Sequence, residues 1–132
     1  MIVDSSALVA LATDEPSRPA VFDALVSASR VAVPATTWVE TSLVLGARAH
    51  GALDDFLDEF TERFDADVVS FTADHAREAQ AAWRAFGRGN HPASLNYGDC
   101  MVYAVAKATG EPLLYVGEDF RRTGIESVLG AP

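Results

Sequence analysis

The 132-residue chain contains one cysteine, Cys100, and one lysine, Lys107. A single cysteine excludes an intramolecular disulfide, and such usage is compatible with a reducing compartment. Basic residues are scarce altogether: 10 Lys and Arg against 19 Asp and Glu leave a net charge of -9. That balance argues against broad, non-specific binding to nucleic acid. No apolar run approaches the roughly 20 residues of a membrane span, so no membrane role is expected. The opening "MIVDSSALVALATDEP" has no basic n-region, and Asp4 interrupts its apolar run. It does not read as a signal peptide, and a cytoplasmic location is expected. Repeats, low-complexity tracts and linkers are absent. What is present is ordinary globular matter, 49% hydrophobic and 22% charged, in a length suited to one domain spanning 1–132.

Met1–Val3 is a short strand candidate, followed at once by the helical "SALVALAT". Ala20–Ser29 carries Phe22, Leu25 and Val26 at helical spacing. "RVAVP" is a β-branched strand stopped by Pro34. Thr36 or Thr37 can cap a helix running to about His50, with Gly51 ending it. "ALDDFLDEFTERF" places Leu53, Phe56, Leu57, Phe60 and Phe64 on one face and acids on the other. "DVVSF" reads as a third strand, and Thr72 or Asp74 caps a helix to about Phe86. The loop "GRGNHPASLNYG" leads into a helix after Asp99. "PLLYV" is a fourth strand, and "IESVL" is a candidate fifth. Strands alternating with helices predict an α/β fold: a mainly parallel sheet of four or five strands with helices on both faces. In such sheets ligands bind outside the carboxyl ends of the strands.

Acidic residues gather at that edge. Asp4 directly follows the first strand, and Asp119, in "YVGEDF", follows the fourth. Glu40 is followed one turn on by Leu43, Val44 and Ala47, and Asp99 by Val102, Tyr103 and Ala106, which predicts that both acids face inward. A buried, unpaired carboxylate costs several kcal/mol. Basic side chains are poor candidates to compensate: Lys107 is the only lysine, and no arginine abuts Asp4, Glu40 or Asp99 in sequence. A hard divalent cation is the natural partner for such oxygens, and the chemistry it would support is hydrolysis of a phosphodiester. Each acid also has an ordinary structural role open to it. Asp4 suits a helix cap, Asp99 the positive end of a helix dipole, Glu40 a rim position, and Glu118–Asp119 a turn.

Taken together, "MIVDSSALVALATDEP", the helix bearing Glu40, "LNYGDCMVYAVAK" and "LLYVGEDF" resemble the PIN-domain ribonucleases, and more narrowly the VapC toxins of VapBC toxin–antitoxin pairs. The resemblance runs over almost the whole chain, in order and at family-like spacing. It implies a PIN fold, with Asp4, Glu40, Asp99 and Asp119 matching an acidic quartet that binds Mg²⁺ or Mn²⁺. Asp4 and Asp99 would be the firmest ligands. Ser6 matches a small hydroxyl residue supporting the first acid. The implied activity is endoribonuclease cleavage of cellular RNA, often transfer or ribosomal RNA. The implied partners are a VapB-type antitoxin and, as a homodimer, a second copy. One departure is Val116, where the family often has lysine before the glycine of "GEDF".

The run from Arg84 to Gly98 holds Arg84, Arg88 and His91 and no acid, and Arg121 and Arg122 follow Asp119. These five residues are the candidate RNA contacts, a small basic rim on an acidic protein, with Tyr97 a further base contact. The alternative is a solvated helix end. Cys100 reads as an inert core thiol, His50 and His75 as helix-end residues, and Trp38 and Trp83 as core. Leu8, Leu11 and Phe22, or the Phe56–Phe60–Phe64 stripe, are candidate partner faces. A non-catalytic PIN-like or receiver-like binding module is the competing function. A receiver domain would want paired acids after its first strand and a lysine after its last. An aspartyl phosphatase would want D-x-D where this chain has "DSS".

Overall fold

A computed structural model describes residues 1–130 of the chain. Four short parallel strands are β1 (Ile2–Val3), β2 (Ala32–Pro34), β3 (Asp67–Val69) and β4 (Leu113–Leu114). They stand in the order β3-β2-β1-β4. Six helices join them: α1 (Ser5–Ala12), α2 (Arg18–Ser27), α3 (Ala35–Ala49), α4 (Phe56–Phe64), α5 (Ala73–Phe86) and α6 (Tyr97–Thr109). The chain steps outward from β1 to β3 and then returns past β1 to β4. Right-handed crossovers put the outward helices on one face and the returning helices on the other.

The side chains follow this division. Val3, Val33 and Leu114 pack with Leu8 and Leu11 of α1, Val21 and Leu25 of α2, and Leu57 and Phe60 of α4. Ile2, Ala32 and Leu113 point the opposite way, toward Ala82 of α5 and Val102, Tyr103 and Val105 of α6. Adjacent residues on β1, β2 and β4 thus serve different cores, as the period of two requires, whereas edge strand β3 exposes Asp67 and Val68. Both faces of β1, β2 and β4 are covered, which explains their unbroken apolar runs. Helix α3 lends Trp38 to the first core but lies at the carboxyl edge of the sheet. It leaves the carboxyl end of β2 and packs against both α1 and α6.

The element assignments hold with local corrections. α2 starts at Arg18, with proline inside its first turn, and Val26 is exposed rather than core. Neither Thr36 nor Thr37 caps α3; the Pro34 position precedes the helix, and no side chain caps it. The helix ends as expected, with His50 itself in the left-handed conformation before Gly51. Thr72 caps α5, in a reciprocal box with His75. β4 stops at Leu114, so Asp119 lies in the loop beyond it and not at the strand tip. The candidate fifth strand is reduced to a single parallel bridge between Leu113 and Ser127. α6 begins at Tyr97, two residues before Asp99, because Asn96 is its cap. Trp38 packs against the first core, whereas Trp83 is 41% exposed on α5.

Leu8 is fully buried between α1 and the sheet. Leu8→Ala is expected to lower unfolding free energy by about 2–5 kcal/mol in urea titration. A loss under about 1 kcal/mol would contradict the packing of α1 described above.

Candidate active site

The strand order places a reversal between β1 and β4, and the crevice outside their carboxyl ends is where such sheets bind ligands. Asp4 stands there. Its N–H donates to the Leu114 carbonyl at 2.9 Å, continuing the ladder one residue past β1. Its side chain then turns to start α1: Oδ2 accepts from the Ser6 N–H at 3.0 Å and from the Ser6 hydroxyl at 2.5 Å. The other oxygen, Oδ1, is buried with no hydrogen-bond partner. Ser6 Oγ also accepts from the Val116 N–H at 3.0 Å. One hydroxyl therefore ties the start of α1 to the segment that leads from β4 to Asp119.

Asp99 repeats this arrangement on α6. Its Oδ2 accepts from the Asn96 N–H at 2.9 Å, while Asn96 Oδ1 accepts from the Asp99 N–H at 2.9 Å. The reciprocal box fixes the first turn of α6 and uses one carboxylate oxygen. For both aspartates the structural role and the candidate chemical role coexist, one oxygen to each.

Glu40 arrives from α3, though not by the face its neighbours suggested. Leu43 is 70% exposed and Ala47 is exposed; the buried side of α3 is Thr37, Thr41 and Leu45. Glu40 is half-buried at the margin of that side, and its carboxylate rests against the Cα of Gly98 on α6. Thr36, one turn earlier on the same face of α3, carries a second buried oxygen without a partner. Its reading as a cap missed this position. Asp119 is exposed at the rim, in a depression of about 360 Å³ shared with Ser94, Arg121 and Arg122.

The electrostatics bind these residues into one neighbourhood. Burial pushes the Asp4 carboxyl up to about 6, its Ser6 hydrogen bonds opposing and the Glu40 charge adding. Burial pushes Asp99 up to about 7, with the charges of Asp4, Asp119 and Glu40 adding and the Asn96 hydrogen bond opposing. Burial, and then the Asp99 charge, raises the Cys100 thiol to about 11, in keeping with an inert core thiol. Among the described residues, no three His, Cys, Asp or Glu side chains close on a common metal position. The donor set nevertheless suits a hard divalent ion: all its side chains are carboxylates, one of them with a buried oxygen that no protein group satisfies.

The basic candidates are dispersed. Arg121 pairs with Glu118 at 2.9 Å. Arg84, Arg88 and Arg122 are exposed and make no ion pair among the described residues. His91 serves its own loop, its Nδ1 accepting from the Ala93 N–H at 3.0 Å and its ring packing edge-on against Phe86. Arg88 lies instead on a wide apolar groove between α5 and α6, with Trp83 and with Tyr97, which is 80% exposed. Of the candidate partner residues, Leu8 is fully enclosed, while Leu11, Phe22, Phe56, Phe60 and Phe64 line a shallow depression where α1, α2 and α4 meet.

The sheet order and the crevice define an open parallel α/β domain with acids gathered at its carboxyl edge, and sequence comparison identifies its class. The PIN domain profile matches residues 1–126, and the chain belongs to the PIN domain family. It is 44% identical over 129 residues to Ribonuclease VapC30 of Mycobacterium tuberculosis, covering 97% of this chain and 98% of that protein. It is 39% identical over 128 residues to Ribonuclease VapC of Mycolicibacterium smegmatis, covering 97% and 99%. Among solved structures, Mycobacterium tuberculosis VapC20, described as a Sarcin-Ricin loop cleaving toxin, superposes with a TM-score of 0.77 at 19% identity. That match covers 94% of this chain and 95% of that one. A toxin–antitoxin complex from Klebsiella pneumoniae superposes with a TM-score of 0.68 at 18% identity, covering 93% and 92%. The expected PIN fold is thereby established.

Both aspartates titrate above the unfolded value of about 3.9. The native state therefore holds more protons than the unfolded chain between about pH 4 and pH 7. The stability they contribute is complete below pH 4 and is lost as pH rises through about 6 and 7. In chelator, Asp99→Asn is expected to be more stable than the parent at pH 8 by roughly 1–2 kcal/mol, the shift being discounted for solvent that reaches the site. The two proteins should converge at pH 4. Urea titrations at both pH values check this; equal stability at pH 8 would show that Asp99 carries no burial strain.

Proposed function

We propose that this protein is the toxin of a type II toxin–antitoxin pair and acts as a Mg²⁺- or Mn²⁺-dependent endoribonuclease, working in the cytoplasm. The observation that carries the reading is the buried Asp4 oxygen without a partner, set among Asp99, Glu40 and Asp119 in a chain whose near relatives are named VapC ribonucleases. A bound Mg²⁺ or Mn²⁺ would polarise a phosphate oxygen and acidify the attacking water. Asp4 and Asp99 would hold the ion through the oxygens their helix starts leave free. Glu40 and Asp119 would complete the anionic wall and orient waters. Ser6 keeps Asp4 in its rotamer and holds the Asp119 segment at a fixed distance from it. Arg88 and Arg122, outside the crevice, would draw in the phosphodiester, and Tyr97 offers a ring face to an unpaired base. The proposed partners are a VapB-type antitoxin, which the toxin–antitoxin complex among the structural neighbours supports, an RNA substrate and a second copy of the chain. Transfer RNA and ribosomal RNA are the substrate classes proposed first, the latter because the VapC20 neighbour is described as cleaving the Sarcin-Ricin loop.

A second reading has one observation in its favour. The carboxylates do not close on a common metal position among the described residues, as a partner-binding module without catalysis would allow. The purified protein incubated with transfer and ribosomal RNA separates the two. Cleavage is expected with Mn²⁺ or Mg²⁺, and it should vanish with chelator and in Asp99→Asn, whose fold is verified by circular dichroism. Cleavage that survives both treatments would overturn the metal site. Metal binding without cleavage of any RNA offered would favour the binding module.

The basic rim has a separate test. In the Asp99→Asn background, Arg122→Ala is expected to reduce the salt slope of RNA binding by about 0.7, the value for one phosphate contact to a single strand. Arg121→Ala should do less, because Glu118 already neutralises it. Fluorescence anisotropy across a salt series measures both, and an unchanged slope for Arg122→Ala would remove it from the RNA path.

A further inference from the structure

Gly98 has no side chain, and another residue lies where its side chain would be. A Cβ added at Gly98 would lie 1.6 Å from Oε2 of Glu40 and 2.6 Å from its Cδ. The backbone gives no reason for glycine here. Gly98 sits in the first turn of α6, outside the left-handed region that six other glycines occupy. Glycine weakens a helix relative to alanine, so its presence calls for a packing reason. Gly46 in α3 is a contrast, since a Cβ there meets nothing within 4 Å.

We infer that Gly98 is a positioning residue for Glu40. Its bare Cα lets the carboxylate of α3 lie against the first turn of α6, directly beside Asp99. A carboxylate at that place also faces the positive end of the α6 dipole. The atoms that would collide with a Cβ are the far end of a flexible side chain. Alanine would therefore leave both helices folded and turn Glu40 out of the crevice. The functional meaning rests on the metal-site reading above, whereas the contact itself does not.

Four proteins test it: the parent, Gly98→Ala, Glu40→Ala and the double variant. With Mn²⁺ alone as ligand, calorimetry is expected to show Gly98→Ala weakening binding about tenfold or more. That loss should approach that of Glu40→Ala, and the double variant should lose no more than Glu40→Ala does. In chelator, Gly98→Ala should raise the urea midpoint more in the Glu40→Ala background than in the parent, because only the parent has a carboxylate to displace. Equal midpoint shifts in both backgrounds would overturn the contact. Unaltered Mn²⁺ affinity in Gly98→Ala, with affinity lost in Glu40→Ala, would overturn the positioning role. Mn²⁺ binding to none of the four would overturn the metal site instead, and the metal-free cycle alone would then decide whether Gly98 places Glu40.

Discussion

The Asp4 carboxylate is the constraint around which the crevice is organised. It lies at the carboxyl end of a central strand, 3% exposed, and a lone buried carboxylate is several kcal/mol uphill unless its oxygens are satisfied. Only one is. Oδ2 takes two hydrogen bonds from Ser6, and Oδ1 takes none. Starting α1 could be done by any exposed capping oxygen without this penalty. Capping does not account for the burial, and the proposed cation-binding role would account for it. Ser6 extends the constraint outward, because the hydroxyl that donates to Asp4 also accepts from Val116. The loop carrying Asp119 is thus referenced to Asp4 across 110 residues of sequence.

The parallel sheet alone would leave Asp4 and Asp99 as acids at the starts of two helices packed on opposite faces. Helix α3 joins the two halves, since it touches both α1 and α6. Its Glu40 reaches the α6 start only because Gly98 leaves space there. Like charges brought together in this way repel, and Asp99 shows it: the charges of three other acids add to burial in raising its pKa. Such a site is destabilising by itself. The two packed cores on either face of the sheet, with side chains such as Leu8 and Val102 fully buried, offset that cost.

Much of this was legible in the sequence, and the failures have physical causes. The alternation of apolar runs and amphipathic stretches defined the strand and helix order, because burial on both faces leaves a strong pattern. Asp4 was legible because it breaks an apolar run at a strand end. For Glu40 the stripe of Leu43 and Ala47 suggested an inward face, yet both are exposed, and burial of α3 runs through Thr37, Thr41 and Leu45. The inner face of this bridging helix is two parts threonine to one part leucine, and hydrophobic periodicity does not find it. Asp99 was expected before its helix and lies inside it, since Asn96 outcompetes it as cap. The Gly98 contact was illegible, because it depends on the side chain of a residue 58 positions earlier in the numbering.

An acidic protein proposed to cleave RNA poses an apparent conflict, and local geometry answers it. The net charge of -9 repels a polyanion at distances beyond the Debye length of about 8 Å only weakly at physiological salt. Within that distance the individual side chains matter. Arg88 and Arg122 stand outside the crevice on different elements, without acidic partners among the described residues, whereas Arg18, Arg30, Arg48, Arg63 and Arg77 lie elsewhere, four of them paired with acids and Arg63 over phenylalanine rings. Of the cations without an acidic partner among the described residues, Arg122 shares the rim depression with Asp119, and Arg88 lies on the groove between α5 and α6. A divalent ion in the crevice would cancel two further negative charges at the point of attack. Productive binding would then require metal and RNA together, and the bare acidic surface would keep unselected RNA away. Selectivity in this arrangement comes from scarcity: with so few phosphate contacts, only an RNA whose shape satisfies all of them at once would be held long enough to react.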